Sequence, residues 1–128
     1  MSFSKIYSAQ TYFLKGKIVS VEVDITTGSL FSFTVVGLPD KAVEESKDRI
    51  ASALKNSGFN SPKSKNQKTV ISLSPAELKK EGPYFDLAMA LAYLLSADEI
   101  SFNIDQKIFL GELSLNGDLR PIRGALLL

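Results

Sequence analysis

Residues 87–97, LAMALAYLLSA, would leave a helix almost no polar face. A helix at a protein surface shows a polar side, so this one must be buried on most of its circumference. Its alanines, at 88, 90 and 92, permit close approach of a sheet or a second helix. The segment before it carries strong punctuation. Ser74-Pro75-x-Glu77 has the form of a capping box with proline at the first helical position. It predicts a short helix from Pro75 to Lys80, with Ser74 and Glu77 as its caps. Gly82 and Pro83 end that helix, and Asp86 is the expected N-cap of the next.

A buried helix needs a sheet to cover it. Val19, Val21, Val23 and Ile25 alternate with Ser20, Glu22 and Asp24, the pattern of a half-buried strand. Phe31, Phe33 and Val35 alternate in the same way, and Thr27-Gly28-Ser29 lies between, so a hairpin over Ile18–Val36 is expected. Residues 4–14 read as one strand or two short ones, and Lys15-Gly16-Lys17 as a turn. Asp40 is placed to cap a helix running to Ser57, with Gly58 as its stop. Ala42, Val43, Ser46, Ile50, Ala53 and Leu54 form the inward stripe of that helix. Burial of Val43, Ile50 and Leu54 would contribute about 1.5–3 kcal/mol each, and Ile50→Asp would undo the docking.

Asn60–Lys68 is a polar loop with Lys63, Lys65 and Lys68, and Thr69–Leu73 a strand. A further strand is expected at Lys107–Leu110, then a hairpin turning at Asn116-Gly117, a type I′ signal. Pro121 suggests that the returning strand is an edge strand or ends there. The apolar run at the end of the chain suggests a helix beginning there and a longer protein. The order of elements gives an α+β fold: two layers, a mixed sheet with helices packed on one face.

Composition bounds the chemistry. The chain has 128 residues, 45% hydrophobic and 23% charged, with net charge +1. That describes a globular domain rather than a dedicated basic module. Cysteine and histidine are absent, which removes thiolate chemistry, the commonest metal ligand and the usual general base. No apolar run approaches the roughly 18 residues of a membrane span. The N-terminus shows no signal-peptide pattern, so a cytoplasmic protein is the expectation.

Four stretches together resemble the N-terminal domain of the YifB/ComM family, the magnesium-chelatase-like AAA+ ATPases. They are VEVDITTG at Val21–Gly28, FTVVGLPDKAVEESKDRIASALKNSGF at Phe33–Phe59, LSPAELKKEGPYFDLAMALAYL at Leu73–Leu94 and FLGELSLNGDLRPIRGAL at Phe109–Leu126. The departures are small: Tyr84, where the family often has a small residue, and a lysine-rich loop. The resemblance implies a Lon-protease catalytic-domain-like, ribosomal-protein-like fold for residues 1–128. It implies an AAA+ module downstream, a homo-oligomeric ring, and ATP with magnesium as cofactors of the longer protein, an ATP-dependent ATPase and DNA helicase. It also implies a role in branch migration during natural transformation, on single-stranded or branched DNA.

A Lon-like domain would carry a serine nucleophile in an Asp-Gly-Pro-Ser-Ala-Gly motif and a lysine base. The matching residues here run from Glu81 to Asp86 and put Tyr84 at the serine position; Leu127 or Leu128 falls near the lysine position. A phenol with a pKa near 10 on a rigid stem is a poor replacement. Ser74 with Lys79 or Lys80 offers an alternative pair, but capping accounts for Ser74. No catalytic residue is therefore assigned, and a Ser–Lys peptidase is disfavoured.

Nor does any segment match Gly-x4-Gly-Lys-Ser/Thr, so nucleotide binding is not expected of this stretch. Glu81 with Asp86, or Asp98 with Glu99, are possible carboxylate pairs; a turn beside Glu81 and a capping role for Asp86 account for the first, and no metal site is assigned. For nucleic acid the candidates are Lys63, Lys65, Lys68, Lys79, Lys80, Arg120 and Arg123, since phosphate contacts need little beyond charge. The expected function is noncatalytic ring assembly or DNA guidance. The alternative is a protein-interaction scaffold without DNA contact.

Overall fold

A computed structural model of the chain describes residues 3–12 and 15–122. Strand β1 (Phe3–Tyr12) runs antiparallel to the long β2 (Lys15–Thr27). After β3 (Ser32–Val36) comes helix α1 (Lys41–Asn56), a 3-10 turn at Pro62–Ser64 and β4 (Gln67–Ser74). Helix α2 spans Asp86–Ser96, and β5 (Glu112–Leu113) pairs with β6 (Leu119–Arg120). The main sheet has the order β1-β2-β4-β3 and is mixed, with β3 parallel to β4 and the other pairs antiparallel. With two helices packed on it, the fold is α+β.

The inward residues of β2, from Val19 to Ile25, join Ile6, Val35, Ile71 and Leu73 in the core, facing Ala88, Met89, Ala92 and Tyr93 of α2. Small residues let α2 lie close over β1 and β2. Ser4 Oγ donates to the Ala92 carbonyl at 2.6 Å, and Ser96 Oγ to that of Val23 at 3.1 Å. Buried hydroxyls thus find partners on the neighbouring element, which removes the cost of desolvating them. Helix α1 turns Val43, Ser46, Ile50, Ala53 and Leu54 inward, as its stripe predicts, together with Ala51. Asp40 caps it, accepting the Val43 N–H at 2.8 Å.

Four local expectations are corrected. The Ile18–Val36 segment is not a hairpin, because β4 lies between β2 and β3. Alternation fixes the face of a strand, not its neighbour. The helix that follows β3 makes β3-α1-β4 a crossover unit, which is how parallel neighbours are joined. Lys15-Gly16-Lys17 belongs to β2, opposite Tyr12, Thr11 and Gln10. Residues 107–110 form no strand, although Phe109 donates its N–H to the Tyr7 carbonyl at 2.9 Å. The β5–β6 turn is also longer than expected. Gly117 N–H reaches Ser114 O at 3.0 Å and Ser114 N–H reaches Asp118 O at 2.9 Å, a three-residue loop with Gly117 at φ +96°. The expected terminal helix lies outside the described residues.

Candidate functional site

The segment Pro75–Phe85 is the centre of the site, and it is not built as its capping box suggests. No helix forms between Pro75 and Lys80; a single turn joins the Leu78 N–H to Pro75 O at 3.3 Å. Ser74 is the last residue of β4, and Glu77 is exposed. Among the described residues neither side chain accepts a backbone N–H, so neither is a cap. Tertiary pairing has overridden the local signal: Lys80 N–H donates to Leu38 O and Lys80 O accepts from Asp40 N–H, both at 2.9 Å. From the other side, the Gln10 amide donates to Lys79 O at 2.8 Å and accepts from the Glu81 N–H at 3.1 Å. Asp40 completes the clamp, its second carboxylate oxygen accepting the Gly82 N–H at 3.0 Å.

Gly37 makes the crossing over β4 feasible. A Cβ at that residue would lie 2.0 Å from the Leu73 carbonyl oxygen, and its φ is +108°.

Beneath this loop Asp86 is fully buried. It is the first residue of α2 rather than its cap; the cap position falls to Phe85, without a side-chain bond. The carboxylate is used across the fold instead. It accepts from Ser46 Oγ at 2.5 Å, Arg49 Nε at 2.7 Å, Arg49 Nη2 at 3.1 Å and the Leu113 N–H at 3.1 Å. Hydrogen bonding to Asp86 raises the Arg49 pKa above its ordinary value. Three donor groups on α1 and β5 so converge on one charge at the start of α2. Sequence patterning missed this network. Its trace was Ser46, a hydroxyl on an otherwise apolar stripe, with Arg49 three residues on.

A cavity of about 340 Å³ opens beside the loop, lined by Ala9, Gln10, Thr11, Glu81, Gly82, Tyr84 and Phe85. Tyr84 is on its wall, and its carbonyl accepts the Gly111 N–H at 3.0 Å. Among the described residues of that lining, no serine, threonine or cysteine sits beside a lysine, and Thr11 is the one hydroxyl apart from Tyr84. Lys80 is fully buried, and its Nζ donates to Pro75 O. Burial lowers its pKa, partly opposed by Glu77. Leu127 and Leu128 lie outside the described residues.

Among the carboxylate pairs, Glu81 is exposed while Asp86 is committed to Arg49. Glu99 accepts from the Asn60 amide at 3.3 Å, and Asp98 is exposed just after α2. The described residues hold no group of three acidic side chains able to bind a metal.

The cations divide into separate groups. Lys63 pairs with Asp48 at 2.9 Å, and this bond holds the Asp48 carboxyl below its usual range. Lys65 and Lys68 are exposed at the end of the sheet where Gly28 N–H bonds Asn66 O at 3.1 Å. Lys68 stands opposite Thr26 on one side and Ser32 on the other. Lys79 is exposed past the far end of β4, roughly 20 Å away by strand rise, and shares a groove with Lys17. Lys80, buried, is unavailable to phosphate. Arg120 reaches Glu112 at 3.8 Å, and Arg123 lies outside the described residues. The structure therefore brings Lys63, Lys65 and Lys68 to one end and leaves Lys79, Lys80 and Arg120 elsewhere.

Comparison with known proteins gives a consistent result over nearly the whole chain. The family model for subunit ChlI of Mg-chelatase matches residues 21–128. The competence protein ComM of Haemophilus influenzae is 37% identical over 127 residues, which cover 98% of this chain and 24% of that protein. The uncharacterized protein YifB of Escherichia coli is 39% identical over the same length and coverage. An uncharacterized protein of Mycobacterium tuberculosis is also 39% identical. The chain thus spans about a quarter of the length of these relatives, 24% in each case.

Proposed function

Because the chain belongs to the YifB/ComM family of magnesium-chelatase-like proteins, we propose that it serves as a noncatalytic domain of a ComM-like AAA+ ATPase. In this proposal it contributes to ring assembly or guides DNA while the ATPase module performs branch migration. The relative from Haemophilus is named for competence, which fits a role in handling incoming DNA. The observation that carries the DNA part is the exposed pair Lys65 and Lys68 at one end of the sheet, with Lys63 tethered beside them. Such an arrangement suits phosphate contact without base specificity. With a net charge of +1, such contact would rest on these local lysines, and it would weaken with salt in proportion to the phosphates they neutralise.

The noncatalytic part rests on Tyr84, which replaces a compact nucleophile, and on Lys80, whose ammonium is buried against Pro75 O. ATP and magnesium belong to the longer protein in this account. No glycine of this chain stands immediately before a Lys-Ser/Thr pair, as a triphosphate-cradling loop requires.

Charge reversal at Lys63, Lys65 and Lys68 tests the assignment. It should weaken DNA binding and flatten the dependence of affinity on salt; unchanged affinity and slope refute this site. A domain that bound protein partners but no DNA would leave the scaffold alternative.

A further inference from the structure

Strand β1 is an outer strand of the sheet, and part of its free edge borders the cavity beside Pro75–Phe85. In an antiparallel pair every second residue turns its N–H and C=O away from the partner strand. Two bonds fix which residues of β1 do so. Just past the end of β2, Gly28 N–H reaches Asn66 O, so the even-numbered residues of β2 bond towards β4 and the odd-numbered ones towards β1. Phe109 N–H reaches Tyr7 O from outside the sheet. By both, Tyr7, Ala9 and Thr11 turn their main-chain groups outward. Phe109 meets Tyr7 O, but among the described residues nothing bonds the outward N–H or C=O of Ala9 or Thr11.

Ala9 is only 2% exposed. Its N–H and C=O are therefore shielded from bulk water without a protein partner, which a buried main chain rarely tolerates. The same cavity of about 340 Å³ is lined by Glu81 and Tyr84. Gln10, also in the lining, has its amide engaged by Lys79 O and the Glu81 N–H. Glu81 is exposed, makes no ion pair among the described residues, and is the one charged side chain among the described residues of the lining. A donor and an acceptor repeated at Ala9 and Thr11, two residues or about 7 Å apart, match the period of another extended peptide, as in recognition by strand addition. The lone carboxylate opposes phosphate or an acidic ligand, and beside the Tyr84 ring it suits a cation.

We propose that this cavity binds a short extended peptide carrying a lysine or arginine, which adds to β1 at Ala9 and Thr11 and sets its cation against Glu81 and Tyr84. Phe109, bonded to Tyr7, limits the added strand to a few residues. The peptide is held and not cleaved, since the lining offers no nucleophile beside a lysine. The site lies at the end of the sheet away from Lys68, so it does not rest on DNA contact. So short a strand implies weak binding, with a Kd of about 10 µM to 1 mM.

The test is a titration with end-blocked pentapeptides of valine and threonine carrying lysine at each position in turn, up to about 1 mM, read by amide NMR shifts. The expected result is saturable binding that moves the Ala9 and Thr11 amides. Glutamate in place of the peptide lysine, or Glu81→Lys in the protein, should weaken binding at least about tenfold. N-methylation of one alternate set of peptide amides should abolish binding and of the other set should spare it, because only every second residue faces β1. No saturable binding by any of the peptides overturns the proposal and leaves Ala9 to water. So does binding that survives methylation of either set, a readout that needs no protein variant to fold, or binding unchanged in folded E81K. Repeating the titration on the longer protein identifies the source of the peptide. Undiminished affinity means a peptide from another molecule, and lost affinity with Ala9 already protected from hydrogen exchange means the protein's own downstream chain.

Discussion

Arg49 Nε donates to Asp86 Oδ2 at 2.7 Å, linking the middle of α1 to the first residue of α2. The same carboxylate oxygen accepts the Leu113 N–H at 3.1 Å, so one side chain fixes both helices and the β5–β6 hairpin. Removing one member of a buried pair strands the other charge, which typically costs about 3–5 kcal/mol. Arg49→Met and Asp86→Asn should each lower urea-unfolding stability by an amount in that range. The double variant Arg49→Met with Asp86→Asn should lose less than the sum of the two. Additive losses would mean that the two side chains act independently.

Gly37→Ala should be among the most damaging single substitutions. The added carbon meets the Leu73 carbonyl at 2.0 Å, with the backbone at φ +108°. Strain of this kind costs about 1–3 kcal/mol before the clash is counted. A thermal midpoint within a degree or two of the unaltered chain would contradict the close crossing of loop and strand.

The Tyr93 phenol is buried, and burial raises its pKa above 10.0, although a hydrogen bond from Gln67 Nε2 at 2.7 Å opposes the shift. The folded chain therefore keeps this proton where the unfolded chain releases it. The contribution is fully present below the unfolded value and is lost as pH rises through it toward the folded one. Buried Lys80 acts with the opposite sign: its lowered pKa means that stability rises with pH between its folded value and 10.5. The difference between Tyr93→Phe and the unaltered chain isolates the phenol. Measured by urea unfolding, that variant should lose less stability on going from about pH 9 to about pH 11. Equal losses would place Tyr93 in contact with solvent.

Peptide hydrolysis should be absent. The Tyr84 position offers a bulky phenol, and Ser74 ends a strand rather than facing a free lysine. Fluorogenic peptides incubated with the chain should give no turnover above buffer. Turnover abolished by Tyr84→Phe or Ser74→Ala would reverse this assignment.

Much of this was visible in the amino-acid pattern where local physics dominates. The period of Val19–Ile25 gave the inner face of β2, Asp40 gave the start of α1, and the apolar run gave α2. Strand order was not visible, because β2 and β3 each show a face without naming a neighbour. Ser74 and Asp86 were misassigned for one reason. Their local capping signals are real, but Lys80 is held by Leu38 and Asp40, and Asp86 by Arg49, contacts more than thirty residues away in sequence. The lysine loop could be read as polar, yet nothing in its sequence revealed that Lys63 would engage Asp48 or that Lys80 would be buried.

The most direct test of the proposed function is fluorescence anisotropy of labelled single-stranded and branched DNA titrated with the folded chain, at low and at near-physiological salt. The account predicts saturable binding that weakens steeply as salt rises. No binding at either salt would contradict DNA guidance by this domain.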